Sequence, residues 1–152
     1  KMKIKTKFYN EIEVSEEKVF LFPQGLPGFP EERRFVLLQE EGSLFGCLQS
    51  ANNPEVAFIV ITPYEVCPDY EIELDDAVTE ELELTAAEDV MLLAIVTIPP
   101  GRPENATVNL QAPLVLNTAR RRGSQIIIAD SEYPLRFRLW AKEPAGVAET
   151  GK

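Results

Sequence analysis

The chain has 152 residues, 45% of them hydrophobic, and a formal net charge of −10. This suffices for one domain with a sizeable core, while no apolar run approaches the roughly 20 residues that cross a bilayer as a helix. There is no histidine and there are only two cysteines, Cys47 and Cys67, which excludes Ser-His and Cys-His nucleophile pairs and leaves a zinc site short of ligands.

The charge is unevenly placed. Residues 35–101 hold fourteen acidic side chains and no Lys or Arg, so they carry −14, and the eleven acids and fifteen bases elsewhere leave +4. An acidic surface of this kind repels nucleic acid and attracts basic partners. Lys1 to Thr6 is charged and lacks an apolar signal core, which predicts a cytoplasmic protein with buried free thiols at both cysteines.

Met2 to Val14 alternates with period two, as one half-buried strand or two strands turning near Tyr9 and Asn10. A turn at Ser15–Glu17 and a short strand from Val19 to Phe22 follow. Next comes Phe22-Pro23-Gln24-Gly25-Leu26-Pro27-Gly28-Phe29-Pro30, with three of its nine residues proline after Phe22 and two glycine. Proline fixes φ and glycine frees it, so this is a rigid, multiply turned connector. Phe22, Leu26 and Phe29 predict that it folds back and plugs one end of the core. A proline follows each glycine within two residues, so the glycines do not open a phosphate-binding helix.

Pro30 to Arg34 reads as one helical turn with an early proline. Phe35–Gln39 and Leu44–Ser50 form a hairpin, and Val56 to Ile61 reads as a central strand buried on both faces. Tyr70-Glu71-Ile72-Glu73-Leu74 alternates cleanly and predicts a strand with Glu71 and Glu73 outward. Asp75 or Asp76 caps a short helix bearing Val78 and Leu82. Val90 to Ile98 is a second buried strand. Ala106–Leu110 and Leu114–Asn117 are strands interrupted at Pro113, which implies an edge or a bulge. Arg120 to Gly123 is a basic turn, Gln125 to Ala129 a strand, Asp130–Glu132 a turn, and Leu135 to Leu139 a strand with Arg136 and Arg138 outward. Trp140 is either a core plug or an exposed anchor. Many short strands with turns every 8 to 12 residues predict an all-β, mainly antiparallel, barrel-like or sandwich domain with one short helix.

The densest charge feature is Glu71, Glu73, Asp75 and Asp76, followed by Glu80, Glu81 and Glu83 and extended by Glu65 and Asp69. A solvated face normally interleaves both signs, and the missing lysines favour a docking surface for a basic partner over a merely solvated face or an acid–base pair. Arg120, Arg121 and Arg122 have no interleaved aromatics and read as an electrostatic counterweight or interface, not as an RNA site.

Phe22 to Phe29 with Arg33-Arg34-Phe35-Val36-Leu37-Leu38 resembles the FliW family of flagellar assembly factors. Pro68-Asp69-Tyr70, Glu88-Asp89-Val90, Asn109 to Asn117 and Gly123 to Ile128 carry the likeness onward in order. The resemblance implies a barrel-like domain over residues 2–140, with Gly25, Pro27, Gly28, Phe29, Asn109, Pro113 and Asn117 as structural signature positions and residues 141–152 as a disordered tail. It further implies a non-enzymatic, cofactor-free and metal-free cytoplasmic protein with two partners. One is the translational regulator CsrA, which it antagonises; the other is flagellin, which it binds in a chaperone-like way. Neither a membrane nor direct nucleic-acid contact is implied. Glu65, Asp69, Glu71, Glu73, Asp75 and Asp76 are the expected partner-binding residues, on charge alone. The alternatives are a small-molecule-binding β-barrel and a carboxylate-dependent hydrolase.

Overall fold

In a computed structural model that describes residues 1–128 and 131–140, the N-terminal alternation divides into two strands. These are β1 (Met2–Ile4) and β2 (Ile12–Val14), paired antiparallel with Ile4 opposite Ile12. Of the two readings of that segment, the hairpin is the one adopted, and it places Ile4 in the core.

The remaining strands build a barrel. They are β3 (Phe20–Leu21), β4 (Arg34–Gln39), β5 (Phe45–Ser50), β6 (Ala57–Ile61), β7 (Val90–Thr97), β8 (Thr107–Val108), β9 (Leu114–Asn117), β10 (Arg122–Gln125) and β11 (Phe137–Arg138). Around the barrel the order is β7-β6-β5-β4-β3-β10-β9, and β9 pairs back onto β7 to close seven strands. Every junction is antiparallel except β3 with β10, a parallel contact at Leu21 and Arg122. Closure removes the free edges that an open sheet of these strands would expose.

Strand β7 serves two neighbours along one edge. Val90 to Leu93 pairs with β9, and Val96 and Thr97 pair with β8, which in turn carries β11. Between Val108 and Leu114 the chain holds three more residues than the facing part of β7 needs. Residues 109–113 therefore bulge out, and Pro113 sits at the end of that bulge, where its missing N–H costs no ladder bond. Asn109 shapes the bulge: its Oδ1 accepts from the N–H groups of Gln111 and Ala112 at 3.1 and 3.0 Å.

The barrel interior is filled by Phe20, Phe22, Phe35, Leu48, Val60, Leu93, Leu114 and Leu116. Each such side chain contributes about 1.5–3 kcal/mol by leaving water. A second cluster, including Ile61, Tyr70, Val96, Val108 and Leu110, lies where β8 and β11 cover β7. Trp140 is half-exposed; its Nε1 donates to the Pro103 carbonyl at 3.2 Å and its ring meets Phe45 edge-on, so it is the surface anchor of this cover.

The proline–glycine connector closes one end of the barrel, as expected. Phe22 and Leu26 are buried, while Phe29 is part-exposed and packs edge-on against Phe58. Gly25 has φ +69, and a Cβ there would lie 2.5 Å from the Phe29 carbonyl oxygen. The Phe22 ring rests directly on Gly123 of β10. Gly28, at φ +81, has open space around it.

Three local expectations change. Residues 30–33 form turns, not a helical turn, because the backbone bonds of Phe22 and Phe29 with Arg33 and Glu32 draw them into the connector. Residues 71–74 alternate in exposure yet join no ladder among the described residues. The strand expected at Gln125–Ala129 lies earlier, at Arg122–Gln125; the ladder is set by Gly123 seating beneath Phe22. Ala129, Asp130 and the expected tail at 141–152 lie outside the described residues.

Candidate functional site

The acidic segment is held up from below by tyrosines. A 3-10 turn at Pro63–Glu65 and a turn closed by the Tyr70 N–H on the Cys67 carbonyl deliver Tyr70 into the core. Its hydroxyl donates to the Leu110 carbonyl at 2.7 Å. Burial, with Tyr133, Tyr64 and Cys67 nearby, pushes this phenol far above its ordinary range. Tyr133 packs against Tyr70 with centroids 4.5 Å apart and the rings tilted by 50°, and its hydroxyl accepts the Glu71 N–H at 2.9 Å.

Above this footing, residues 71–75 run as an exposed ridge. Glu71, Glu73 and Asp75 are exposed, and Ile72 and Leu74 are half-buried. Period-two geometry explains the alternation; the lack of a paired neighbour leaves the carboxylates as the dominant surface. Asp75 ends the ridge as the N-cap of α1 (Asp76–Glu81), its Oδ1 accepting from the Val78 N–H at 3.0 Å. This α1 is the one α-helix among the described residues.

Glu71, Glu73 and Asp75 form one wall of an open groove of about 720 Å³. The opposite wall is Ile126, Ile127 and Ile128 with Ser131, Glu132 and Tyr133. Ile127 is 77% exposed, the most exposed of the large apolar side chains. The groove thus sets the carboxylates of residues 71–75 against a side that combines the isoleucines with Ser131, Glu132 and Tyr133. Glu65, Asp69 and Asp76 are exposed as expected but do not line this groove. The sequence predicts only a strand through these isoleucines, with no side assigned to them. Three successive β-branched residues look the same whether a strand is buried or not, so no sequence signal separated them.

The ridge carboxylates make no ion pair among the described residues. Glu83, just past the end of α1, does: Arg120 and Arg122 approach it at 3.7 and 3.9 Å, and Arg122 Nε donates to the Glu81 backbone carbonyl at 3.0 Å. Arg121, at φ +57, places its guanidinium 4.0 Å over the Phe20 ring and donates to the Lys18 carbonyl at 3.1 Å; burial lowers its pKa. Arg121 and Arg122 are thus engaged with the fold while Arg120 stays exposed beside Glu83, and none of the three pairs with the ridge carboxylates. The exposed ridge suits recognition of a basic surface.

Asn117 is buried; its Nδ2 donates to the carbonyls of Leu82 and Glu83 at 2.7 and 3.1 Å, and its Oδ1 accepts from the N–H groups of Ala119 and Arg120 at 3.0 Å. It joins the end of α1 to the β9–β10 turn. Cys47 and Cys67 are both free, Cys47 buried and Cys67 half-buried. Among the described residues no helix is long and apolar enough to cross a membrane.

Comparison with known proteins agrees with this architecture. A family model described as FliW protein matches residues 3–139. A flagellar assembly factor FliW of Geobacillus kaustophilus is 43% identical over 144 residues, covering 95% of this chain and 99% of the relative. Another, from Caldicellulosiruptor bescii, is 41% identical over 137 residues, 90% of each chain. A crystal structure of the flagellar assembly factor FliW superposes with a TM-score of 0.86 at 42% identity, covering 93% of this chain and 99% of that one.

Proposed function

The chain belongs to the FliW family of flagellar assembly factors, and from that premise we propose that it is a non-enzymatic partner switch in the cytoplasm. It binds the translational regulator CsrA and keeps it from repressing flagellin synthesis. It also binds flagellin, and uptake by free flagellin releases the regulator. The level of flagellin thereby feeds back on its translation.

The observation that carries this reading is the unpaired acidic ridge, Glu71, Glu73 and Asp75, within a stretch of 67 residues (35–101) that has no Lys or Arg. A protein that grips RNA presents positive charge, and such a ridge steers it into contact. The facing isoleucines supply the apolar surface that holds the encounter. The small-molecule alternative has less support, because the barrel interior is filled by side chains.

The test is association kinetics with purified CsrA against the variant Glu71→Gln, Glu73→Gln, Asp75→Asn. Shape is kept, and asparagine still caps α1. The on-rate should fall about tenfold at low salt and depend less steeply on ionic strength, since exposed charges act within a Debye length of ~8 Å. Unchanged kinetics at low salt would reduce the ridge to a solvated face.

A further inference from the structure

The barrel wall is buried on its outer side at β4 and β5. Phe35 of β4 and Leu48 of β5 fill the interior. Val36, Cys47 and Gln49 alternate with them along the same two strands and so face outward, with Val36 and Gln49 directly opposite each other. They are nevertheless 1%, 3% and 0% exposed. The β1–β2 hairpin is what lies over them. The Lys7 N–H donates to Gln49 Oε1 at 2.9 Å. Burial raises the Cys47 thiol, and Lys7 stands near enough to offset part of that rise.

This cover is built as a unit of its own. β1 and β2 pair only with each other. Thr6 closes their turn, its Oγ1 accepting the Tyr9 N–H at 2.9 Å and donating to the Asn10 carbonyl at 3.2 Å. Its hold on the barrel is slight. Among the described residues, the Lys7–Gln49 bond is the one hydrogen bond that joins residues 2–14 to the rest of the chain, and Ile4 is their one buried side chain. A two-stranded ribbon held this way has little stability of its own. Past Ser15 the chain is fastened again: Glu16 pairs with Arg34 at 2.7 Å, and the Lys18 carbonyl accepts from Arg121 at 3.1 Å.

The barrel, in turn, does not need the cover. Gln49 Nε2 lies 3.1–3.3 Å from the carbonyls of Ser50, Asn53, Pro54 and Val56. These contacts hold the side chain whether or not the hairpin is seated, and Oε1 then turns to water.

We propose that the hairpin is a strap that lifts as one unit about Ser15 while the barrel stays closed, baring Val36 and Cys47. Opening of this kind draws on the least stable part of a fold and leaves the rest intact. The open form presents a small apolar surface and a thiol that the closed form withholds, and anything that binds one form shifts the balance between them. None of these residues lines the ridge groove, so the strap stands or falls independently of the partner switch.

The test is alkylation of the full chain by iodoacetamide over a urea series, read at Cys47 by peptide mass spectrometry, beside hydrogen exchange at the amides of β7. The thiolate sulfur displaces iodide, so the label reports the uncovered thiol. Opening at Cys47 should show less than half the urea dependence of β7 exchange, because a strap bares far less surface than global unfolding. Ile4→Ala should speed Cys47 labelling at least tenfold with its urea dependence unchanged. Val60→Ala, inside the barrel, should speed β7 exchange at least tenfold and Cys47 labelling less than twofold, since closed and strap-open forms lose the same contacts. Equal urea dependence at Cys47 and β7 would overturn the strap, and that comparison in the unaltered chain decides the matter even if a variant does not fold. So would Cys47 labelling that follows Val60→Ala as β7 exchange does, that ignores Ile4→Ala, or that runs as fast as for an unprotected thiol.

Discussion

The connector at 22–30 and the ridge at 71–75 are both irregular, and they are built on opposite terms. In the connector Phe22 and Leu26 are buried, and the backbone bonds back onto itself between Phe22 and Gly25 and between Leu26 and Phe29. Its glycines answer to backbone geometry. The ridge exposes three carboxylates, joins no ladder among the described residues, and is tied by the Glu71 N–H to Tyr133 and by Asp75 to α1. A segment rich in proline and glycine is thus the one folded into the core, and a segment with clean strand alternation is the one left exposed. The deciding quantity is where the side chains and backbone groups find satisfaction: within the fold in the first case, and with solvent or a partner in the second.

The strongest way to break this contrast is at Gly25. Alanine there takes on both the left-handed φ and a backbone overlap with Phe29 and Pro30. Left-handed strain of about 1–2 kcal/mol plus overpacking of about 1–3 predicts a loss near 3 kcal/mol, or a melting point lower by roughly 10 °C. CsrA and flagellin affinity of the folded fraction should not move. An unchanged melting temperature with lost binding would transfer the connector to the recognition surface.

Asn117→Ala probes the tie between the barrel and the helix that ends the ridge. It leaves two carbonyls and two N–H groups without their side-chain partner, and about 2–3 kcal/mol should be lost in denaturant unfolding. Gly28→Ala sharpens the comparison inside the connector. Its φ is as positive as that of Gly25 but nothing crowds it, so about 1–2 kcal/mol is expected. A loss equal to that of Gly25→Ala would mean that φ alone, and not backbone contact, governs both sites.

A smaller effect concerns the buried thiol of the barrel wall. Burial raises Cys47 to about 11. The neutral thiol is the form the fold stabilises, so this contribution is complete below the unfolded-state value near 9 and is lost as pH rises through about 11. Unfolding midpoints should decline over that alkaline window more steeply in the native chain than in Cys47→Ala. The smallest stability effect belongs to the ridge: neutralising Glu71, Glu73 and Asp75 should alter stability by less than about 0.5 kcal/mol. A large loss would show that these carboxylates serve the fold, and would erase the contrast with the connector.

Local sequence carried much of this architecture. Alternation located β1, β2 and the outward Arg138 of β11; the apolar runs located β6 and β7; Asp75 and Asp76 narrowed the start of α1 to two positions; and Gly25 and Gly28 announced the turns of the connector. These features follow from neighbours along the chain, through side-chain period, cap chemistry and allowed φ. The pairing of β9 with β7 that closes the barrel, and the parallel contact of β3 with β10, depend on residues far apart in sequence. So does the fate of residues 71–74, whose alternation is that of a strand although no strand lies beside them. The groove facing Ile126–Ile128 exists because the ridge lies beside a distant part of the chain. Charge and periodicity determined which side chains the ridge displays; only tertiary packing decided what those side chains face, because a side chain's direction is local whereas the surface opposite it belongs to another part of the chain.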